Sequence, residues 1–287
     1  MRQARFPWRQ RNVNAACVCH AFTVQPNENP TGDAGFPNHT IRKVFFSMRI
    51  LSIDTSTSLA SVALVAAEKP LAESVFMADR CLSARLVPEV LRLLQAAGLT
   101  VNDLDLFACA LGPGSFTGVR AGLATTQGFA LATGKPCAGY SSLTLLAMNF
   151  PLASLPVCSM LDARKNEVYA SLSDCSTPIP TTLIEECVLA PERFLDLLDD
   201  QVEGPLILCG DGALRYRELI SSRLGDRARF APFPQQSSHA ANGALLALQC
   251  YRQGRTLSPE QLLPVYIRAS EAEYAKLDQQ KLLRKRQ

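Results

Sequence analysis

The sequence carries one arrangement of strands, helices and turns twice, and this repetition restricts the fold more than any other feature. The first copy opens with a strand over Met48–Asp54, followed by two more strands, a helix, a buried strand, a glycine-rich turn and a helix. The second copy opens with a strand over Val157–Asp162 and continues in the same order. Alternating or continuous apolar runs indicate the strands, and a 3.6-residue apolar period indicates the helices. Two successive β-β-β-α-β-α units predict an α/β protein built by internal duplication.

This repetition divides the chain into four segments. Residues 1–47 contain six basic and two acidic residues and show no sustained apolar period. We expect them to be a disordered extension or to result from a coding start placed too far upstream, because Met48 directly precedes the first strand. Residues 48–152 and 153–270 are predicted to form the N-terminal and C-terminal subdomains. Residues 271–287 form a charged tail, which we expect to be a solvated terminus, with a contact to nucleic-acid phosphates as the alternative.

Composition excludes several classes of protein. Beyond residue 47 the chain has 23 basic and 24 acidic residues, so it has no bulk field that would hold a polyanion without help. Aromatic residues make up only 7% of the chain, which argues against a surface that stacks nucleic-acid bases. No apolar run approaches the ~20 residues of a membrane-spanning helix, so we expect no membrane association. Ten cysteines without a CxxC motif predict reduced thiols and a cytoplasmic location.

The candidate chemistry lies where strands end. In each unit the first strand ends in an aspartate and a later strand runs into a turn that contains glycine. These aspartates could hold a hydrated Mg²⁺ or could cap the turns that follow them. The glycine turn at the start of a helix is compatible with anion binding and, equally, with a tight structural turn. The candidate residues of a vestigial nucleotide or anion site are Asp54, Gly112, Gly114, Ser115, Thr117, Gly118, Asp162, Gly210 and Gly212.

The duplicated layout is similar to that of the actin-like (ASKHA) ATPases, in which two α/β subdomains flank a cleft. Four segments in register more closely resemble the bacterial TsaB (YeaZ) family: residues 48–56, 112–120, 161–169 and 264–268. The resemblance implies a pseudo-ATPase subunit that is not itself catalytic. Such a subunit binds and activates TsaD in threonylcarbamoyl transfer to adenosine 37 of tRNA. It also implies TsaE as a further partner, tRNA contact through the complex, and a homodimer when TsaD is absent.

Two features of the residues agree with that implication. The predicted subdomains contain a single histidine, His239, so they cannot supply a paired-histidine metal site, and HExxH is absent. We therefore expect no metal and no peptidase activity, with His239 at a helix start or on the surface. Asp54 is followed by Thr55-Ser56-Thr57-Ser58, without the glycine that lets backbone approach a phosphate. We expect no cofactor of its own, ATP and Mg²⁺ being used through the partner subunits. An active ASKHA-type small-molecule kinase is the alternative.

Two helices are candidates for the partner interface. The apolar stripe of the helix predicted over Leu82–Ala97 is wider than one core face requires. Small residues recur along the helix after the glycine turn, where they permit either another helix or the helix's own sheet to approach closely. The resemblance favours the interface interpretation. The predicted interface residues are Leu82, Leu86, Val90, Leu93, Ala121, Thr125 and Gly128.

Overall fold

The computed structural model describes residues 48–66, 68–78 and 81–268 of the 287-residue chain. The predictions for residues 1–47 and for the tail over 271–287 lie outside the described residues. None of the helices in the described ranges is long and apolar enough to cross a membrane.

The first unit folds around a five-stranded sheet with the order β3-β2-β1-β4-β5. Its first three strands are antiparallel, and β4 and β5 continue the sheet parallel to β1. The strands are β1 Arg49–Asp54, β2 Leu59–Ala66, β3 Lys69–Met77, β4 Leu106–Ala110 and β5 Cys137–Tyr140, and the helices are α1 Leu82–Ala96, α2 Phe116–Thr133 and α3 Ser142–Ala147.

The second unit repeats this topology in a sheet with the order β10-β9-β6-β7-β8. The predicted duplication and the actin-like α/β fold class are confirmed. The fifth strand, β10, was absent from the predicted pattern because it has only three residues, none of them fully buried. The strands are β6 Val157–Arg164, β7 Glu167–Asp174, β8 Thr181–Leu189, β9 Leu206–Cys209 and β10 Ala228–Phe230, and the helices are α4 Pro191–Gln201, α5 Asp211–Arg215, α6 Arg217–Leu224 and α7 Ala240–Arg252.

The two units exchange their last helices. Helix α7 packs against β1 and β2 of the first sheet, where Ala244 and Leu248 join Ile50 in one buried cluster. Helix α3 packs against β6 and β7 of the second sheet, and its Leu146 joins Leu161 in another cluster. The predicted second subdomain, 153–270, thus includes a helix, α7, that packs on the sheet of the first unit. The apolar face of α7 is buried against the first sheet. This burial determines where the helix packs, although α7 follows the second sheet in the sequence.

Helices α1 and α2 cover the opposite face of the first sheet. Leu86 and Val90 of α1 are completely buried against this sheet, and Leu82 and Leu93 are almost so. The prediction that these four residues form a partner surface is wrong, because the chain's own core covers them. The exposed apolar residues of α1 are those that widen the stripe, Val87 at 38% and Leu91 at 49% exposure. Ala121 and Thr125 of α2 are partly buried and Gly128 is exposed, so their assignment stays a prediction.

The burial of Val90 predicts a direct test of this orientation of α1. Val90→Glu should lower the free energy of unfolding by about 3 kcal/mol or more, because it places a carboxylate in an apolar core. Leu91→Glu, one position along the same helix, should leave stability within about 0.5 kcal/mol, because its side chain meets water. Urea unfolding followed by circular dichroism measures both. A Val90→Glu protein as stable as the wild type would show that α1 presents a different face to the sheet.

Candidate functional site

Asp54 ends β1 and is completely buried. Its Oδ1 accepts a 2.9 Å hydrogen bond from the backbone N–H of Ser56, so the carboxyl caps the turn between β1 and β2. Burial raises the pKa of the Asp54 carboxyl, because the charged form loses its hydration, and the hydroxyls of Ser56 and Ser238 oppose this rise. The side chain therefore acts as a structural cap in a site that disfavours its ionised form.

Asp162, the equivalent residue of β6, is also engaged by its own chain. Its Oδ1 accepts a 3.0 Å hydrogen bond from the backbone N–H of Arg164, and its Oδ2 accepts one of 2.9 Å from Arg215 Nη1. The backbone N–H of Asp162 donates to Asp211 Oδ1 at 2.9 Å. Of the two interpretations from sequence, the structure favours the turn cap over a Mg²⁺ ligand for both aspartates. The ranges that the structure describes contain no group of three metal-ligating side chains.

The glycines of the first turn are required by contact with the chain's own backbone. A Cβ on Gly114 would lie 2.2 Å from the Ser56 carbonyl oxygen, and one on Gly118 would lie 2.0 Å from the Thr55 carbonyl oxygen. Gly114 also has a φ of +155° and Gly112 a φ of +108°, which other residues rarely adopt. Two hydrogen bonds fix this contact, from the Ser115 N–H to the Ser56 carbonyl and from Thr55 Oγ1 to the Gly118 carbonyl, each 2.7 Å.

The start of α2 is capped by the chain itself. The hydroxyl of Ser115 accepts a hydrogen bond from the backbone N–H of Gly118, so Ser115 is the N-cap. Thr117, the other cap candidate from sequence, is exposed within the first turn of the helix. The structure therefore favours the tight structural turn over anion binding for residues 112–120.

The second glycine turn repeats this arrangement. A Cβ on Gly210 would lie 2.1 Å from the carbonyl oxygen of Met160, and one on Gly212 would lie 2.8 Å from the carbonyl carbon of Leu161. The Gly210 N–H donates to Gln236 Oε1 at 2.9 Å. Both glycine turns thus pack closely against the end of the first strand of their unit.

A cavity of about 220 Å³ lies in the cleft between the units. This volume is below the ~300 Å³ at which small-molecule sites begin. Its exposed lining is mostly apolar. The lining residues are Thr57, Ser58, Leu59, Leu146, Leu161, Asp211, Leu214, Phe233, Gln236, Ser237 and Ser238.

Residues 264–268 bind beside the first glycine turn, an arrangement that the sequence pattern did not predict. They lie outside the helices and strands of both units. The Val265 N–H donates to the Leu111 carbonyl at 2.9 Å, and Arg268 Nη1 donates to the Ala163 carbonyl at 2.8 Å. Arg268 also pairs with Glu167. The segment therefore connects residues 112–120 with the β6–β7 hairpin. The four segments that carry the family resemblance meet in one place.

Two titratable side chains with raised pKa values lie at the starts of helices α7 and α3. His239 immediately precedes α7, as predicted for a helix start, and its Nδ1 lies 3.4 Å from Glu73 Oε2. This hydrogen bond raises the pKa of His239. Glu186 of β8 was not singled out in the sequence. It accepts a hydrogen bond from the hydroxyl of Ser141, the N-cap of α3, and burial raises its pKa to about 7.

The contact between Gly118 and Thr55 predicts a position-specific effect within α2. Gly118→Ala should lower the free energy of unfolding by about 3 kcal/mol, because its methyl group collides with a backbone oxygen that cannot move freely. Gly128→Ala, in the same helix with nothing within 4 Å, should raise it by about 0.5–1 kcal/mol. Thermal and urea unfolding would measure both changes. Equal effects at the two positions would contradict the close approach of α2 to the β1–β2 turn.

Comparison of the sequence with protein families and known proteins identifies its relatives. Residues 76–276 match the family model described as TsaD, tRNA N6-adenosine threonylcarbamoyltransferase. The chain is 32% identical to the tRNA threonylcarbamoyladenosine biosynthesis protein TsaB of Escherichia coli over 228 residues, which cover 77% of this chain and 95% of that protein. It is 26% identical to the Bacillus subtilis protein of the same name over 234 residues, 82% of this chain and the whole of that protein.

A solved structure shows the same relationship. YeaZ from Pseudomonas aeruginosa superposes with a TM-score of 0.66 at 30% identity, covering 76% of this chain and 99% of that chain. Sequence identity and fold therefore agree over the region that contains both sheets. The chain belongs to the TsaB (YeaZ) family of tRNA threonylcarbamoyladenosine biosynthesis proteins.

Proposed function

We propose that this protein is a non-catalytic subunit that binds a TsaD-type partner and activates it for threonylcarbamoyl transfer to adenosine 37 of tRNA. The observation that carries the proposal is the close packing of both glycine turns against the chain's own backbone, where a Cβ would collide with backbone atoms. In an ATPase of this fold a glycine in the turn after the first strand's aspartate lets backbone approach a phosphate, and the turn after Asp54 has no glycine. A pseudo-ATPase keeps the two-domain fold of an ATPase and acts through surface contacts with its partners.

In this proposal ATP and Mg²⁺ act through the partners, a TsaD-type subunit and TsaE, and this chain holds no cofactor of its own. The cavity in the cleft is small and its exposed lining is mostly apolar, which supports the assignment of ATP and Mg²⁺ to the partner subunits. The tRNA is bound by the assembled complex.

The exposed faces of α1 and α2 are the proposed docking surface. The two helices pack against each other, and their outer faces carry Val87, Leu91 and Leu131. Between these large residues lie Ala124 and Gly128, which are exposed and leave room for a partner helix to approach. Apolar groups on neighbouring helices mark an interaction site. The same surface would form a homodimer when the TsaD-type partner is absent.

The docking surface can be tested with substitutions that spare the core. Leu91→Glu and Leu131→Glu should each weaken binding of the TsaD homologue from the same genome at least tenfold, because each places a charge in an apolar contact. Leu152→Glu is the matched control, since Leu152 is exposed in the loop between α3 and β6. Isothermal titration calorimetry measures affinity, and circular dichroism verifies folding. Unchanged affinity in both helix variants would remove this surface from the interface.

Asp54 separates this proposal from the alternative of an active small-molecule kinase. Asp54→Asn keeps an oxygen that can accept the Ser56 N–H and removes the carboxylate. We expect tRNA modification by the reconstituted complex to stay within about twofold of wild type, because the chemistry resides in the partner. A fall of about a thousandfold, equivalent to ~4 kcal/mol, in a folded variant that still binds its partner would support catalysis by this chain.

A further inference from the structure

An exposed stack of cationic and aromatic side chains lies where α2 meets the C-terminal segment. The rings of Phe116 and Tyr266 stack with their centroids 5.0 Å apart, and they are 39% and 38% exposed. The guanidinium carbon of Arg120 lies 3.8 Å above the Phe116 ring, and Arg120 Nε donates a 2.8 Å hydrogen bond to the Tyr266 hydroxyl. We name Phe116, Arg120 and Tyr266 the Arg–aromatic stack.

The stack holds Arg120 in place and leaves its outer nitrogens available. Within the ranges that the structure describes, Arg120 forms no ion pair with a carboxylate, and its hydrogen bond uses Nε only. A guanidinium that is already ordered by a ring and a hydroxyl loses little entropy when it binds an anion. The planar Nη groups suit the paired oxygens of a phosphate.

Further positive charge lies beside the stack. Arg268, two residues after Tyr266, binds the β6–β7 hairpin through the carbonyl of Ala163. The exposed tip of this hairpin begins with Arg164 and Lys165, at φ of +58° and +52°. Arg268 pairs with Glu167, so the exposed cationic groups near the stack are Arg120 and the two residues of the hairpin tip.

We propose that the Arg–aromatic stack, together with the tip of the β6–β7 hairpin, is a contact surface for single-stranded RNA. An unpaired base would extend the stack over the exposed ring edges and the guanidinium, as bases do on aromatic and arginine planes in RNA-binding proteins. Neighbouring phosphates would bind the Nη groups of Arg120 and the hairpin cations. The inference deepens the proposed function, because it assigns a direct RNA contact to this subunit.

Aromatic residues make up only 7% of the whole chain, and this average argues against an extended base-stacking surface. It does not describe a local cluster of two rings. Phe116 and Tyr266 are 150 positions apart in the sequence, and the fold alone brings their rings together. The near-neutral net charge is likewise a whole-chain value that does not describe one side of the molecule. A protein partner would also use aromatic and arginine side chains. The exposed cationic groups near the stack favour a polyanion.

Fluorescence anisotropy of the full-length chain alone with a labelled RNA stem-loop tests the inference. Arg120→Ala and Phe116→Ala should each weaken binding about tenfold, and Arg120→Ala should also reduce the slope of log affinity against log salt by about one. Arg229→Ala, which removes an equally exposed charge from β10, should change neither value. Arg120→Lys should keep the salt slope and lose part of the affinity. A fully paired RNA of equal length should bind more weakly, since its bases cannot stack on the protein.

The result that overturns the inference is equal RNA affinity for wild type, Arg120→Ala, Phe116→Ala and Arg229→Ala, or no RNA binding by the wild type. Loss of affinity for the TsaD homologue in the Arg120→Ala variant, with RNA affinity unchanged, would also overturn it and assign the stack to a protein interface. Because no partner is present in the RNA measurement, its failure leaves the proposed docking through α1 and α2 untouched. Circular dichroism melting of each variant verifies the fold.

Discussion

The contact between each glycine turn and the backbone at the end of the unit's first strand organises the molecule. Gly118 approaches the Thr55 carbonyl, and Gly210 approaches the Met160 carbonyl, so closely that neither position can carry a Cβ. Each contact sets where a helix begins relative to its sheet. One packing constraint therefore fixes the position of a helix start in both domains.

Exchange of helices joins the two domains into one body. Helix α3 follows the first sheet but packs on the second, and α7 follows the second but packs on the first. The outer faces of the first domain are thereby left to α1 and α2, whose exposed residues are available to a partner. Residues 264–268 then return to the first glycine turn, so the Arg–aromatic stack lies near the start of α2 while Leu131 lies near its end. A partner subunit and an RNA could occupy the same helix at different places.

Much of this architecture follows from sequence patterns, and its failures are instructive. Continuous apolar runs identify β1, β2 and β4 because both faces of the sheet are covered. The two aspartates and both glycine turns were located by their position at strand ends. The face of α1 was misassigned because a helical apolar stripe shows which residues share a side and not which neighbour covers them. Val90 and Leu91 are adjacent in the sequence, yet Val90 is completely buried and Leu91 is 49% exposed. The domain of α7 and the pairing of Phe116 with Tyr266 depend on tertiary contacts that no local period encodes.

Reconstituted transfer of the threonylcarbamoyl group to tRNA, with each component omitted in turn, tests the central claim most directly. Transfer of radiolabel to tRNA from threonylcarbamoyl-adenylate labelled in its threonine should require both this chain and the TsaD homologue, in the presence of TsaE and ATP. This chain alone should transfer nothing above background. Transfer by this chain without the TsaD homologue would contradict a non-catalytic role, and full multiple-turnover transfer by the other components without this chain would contradict an activating one.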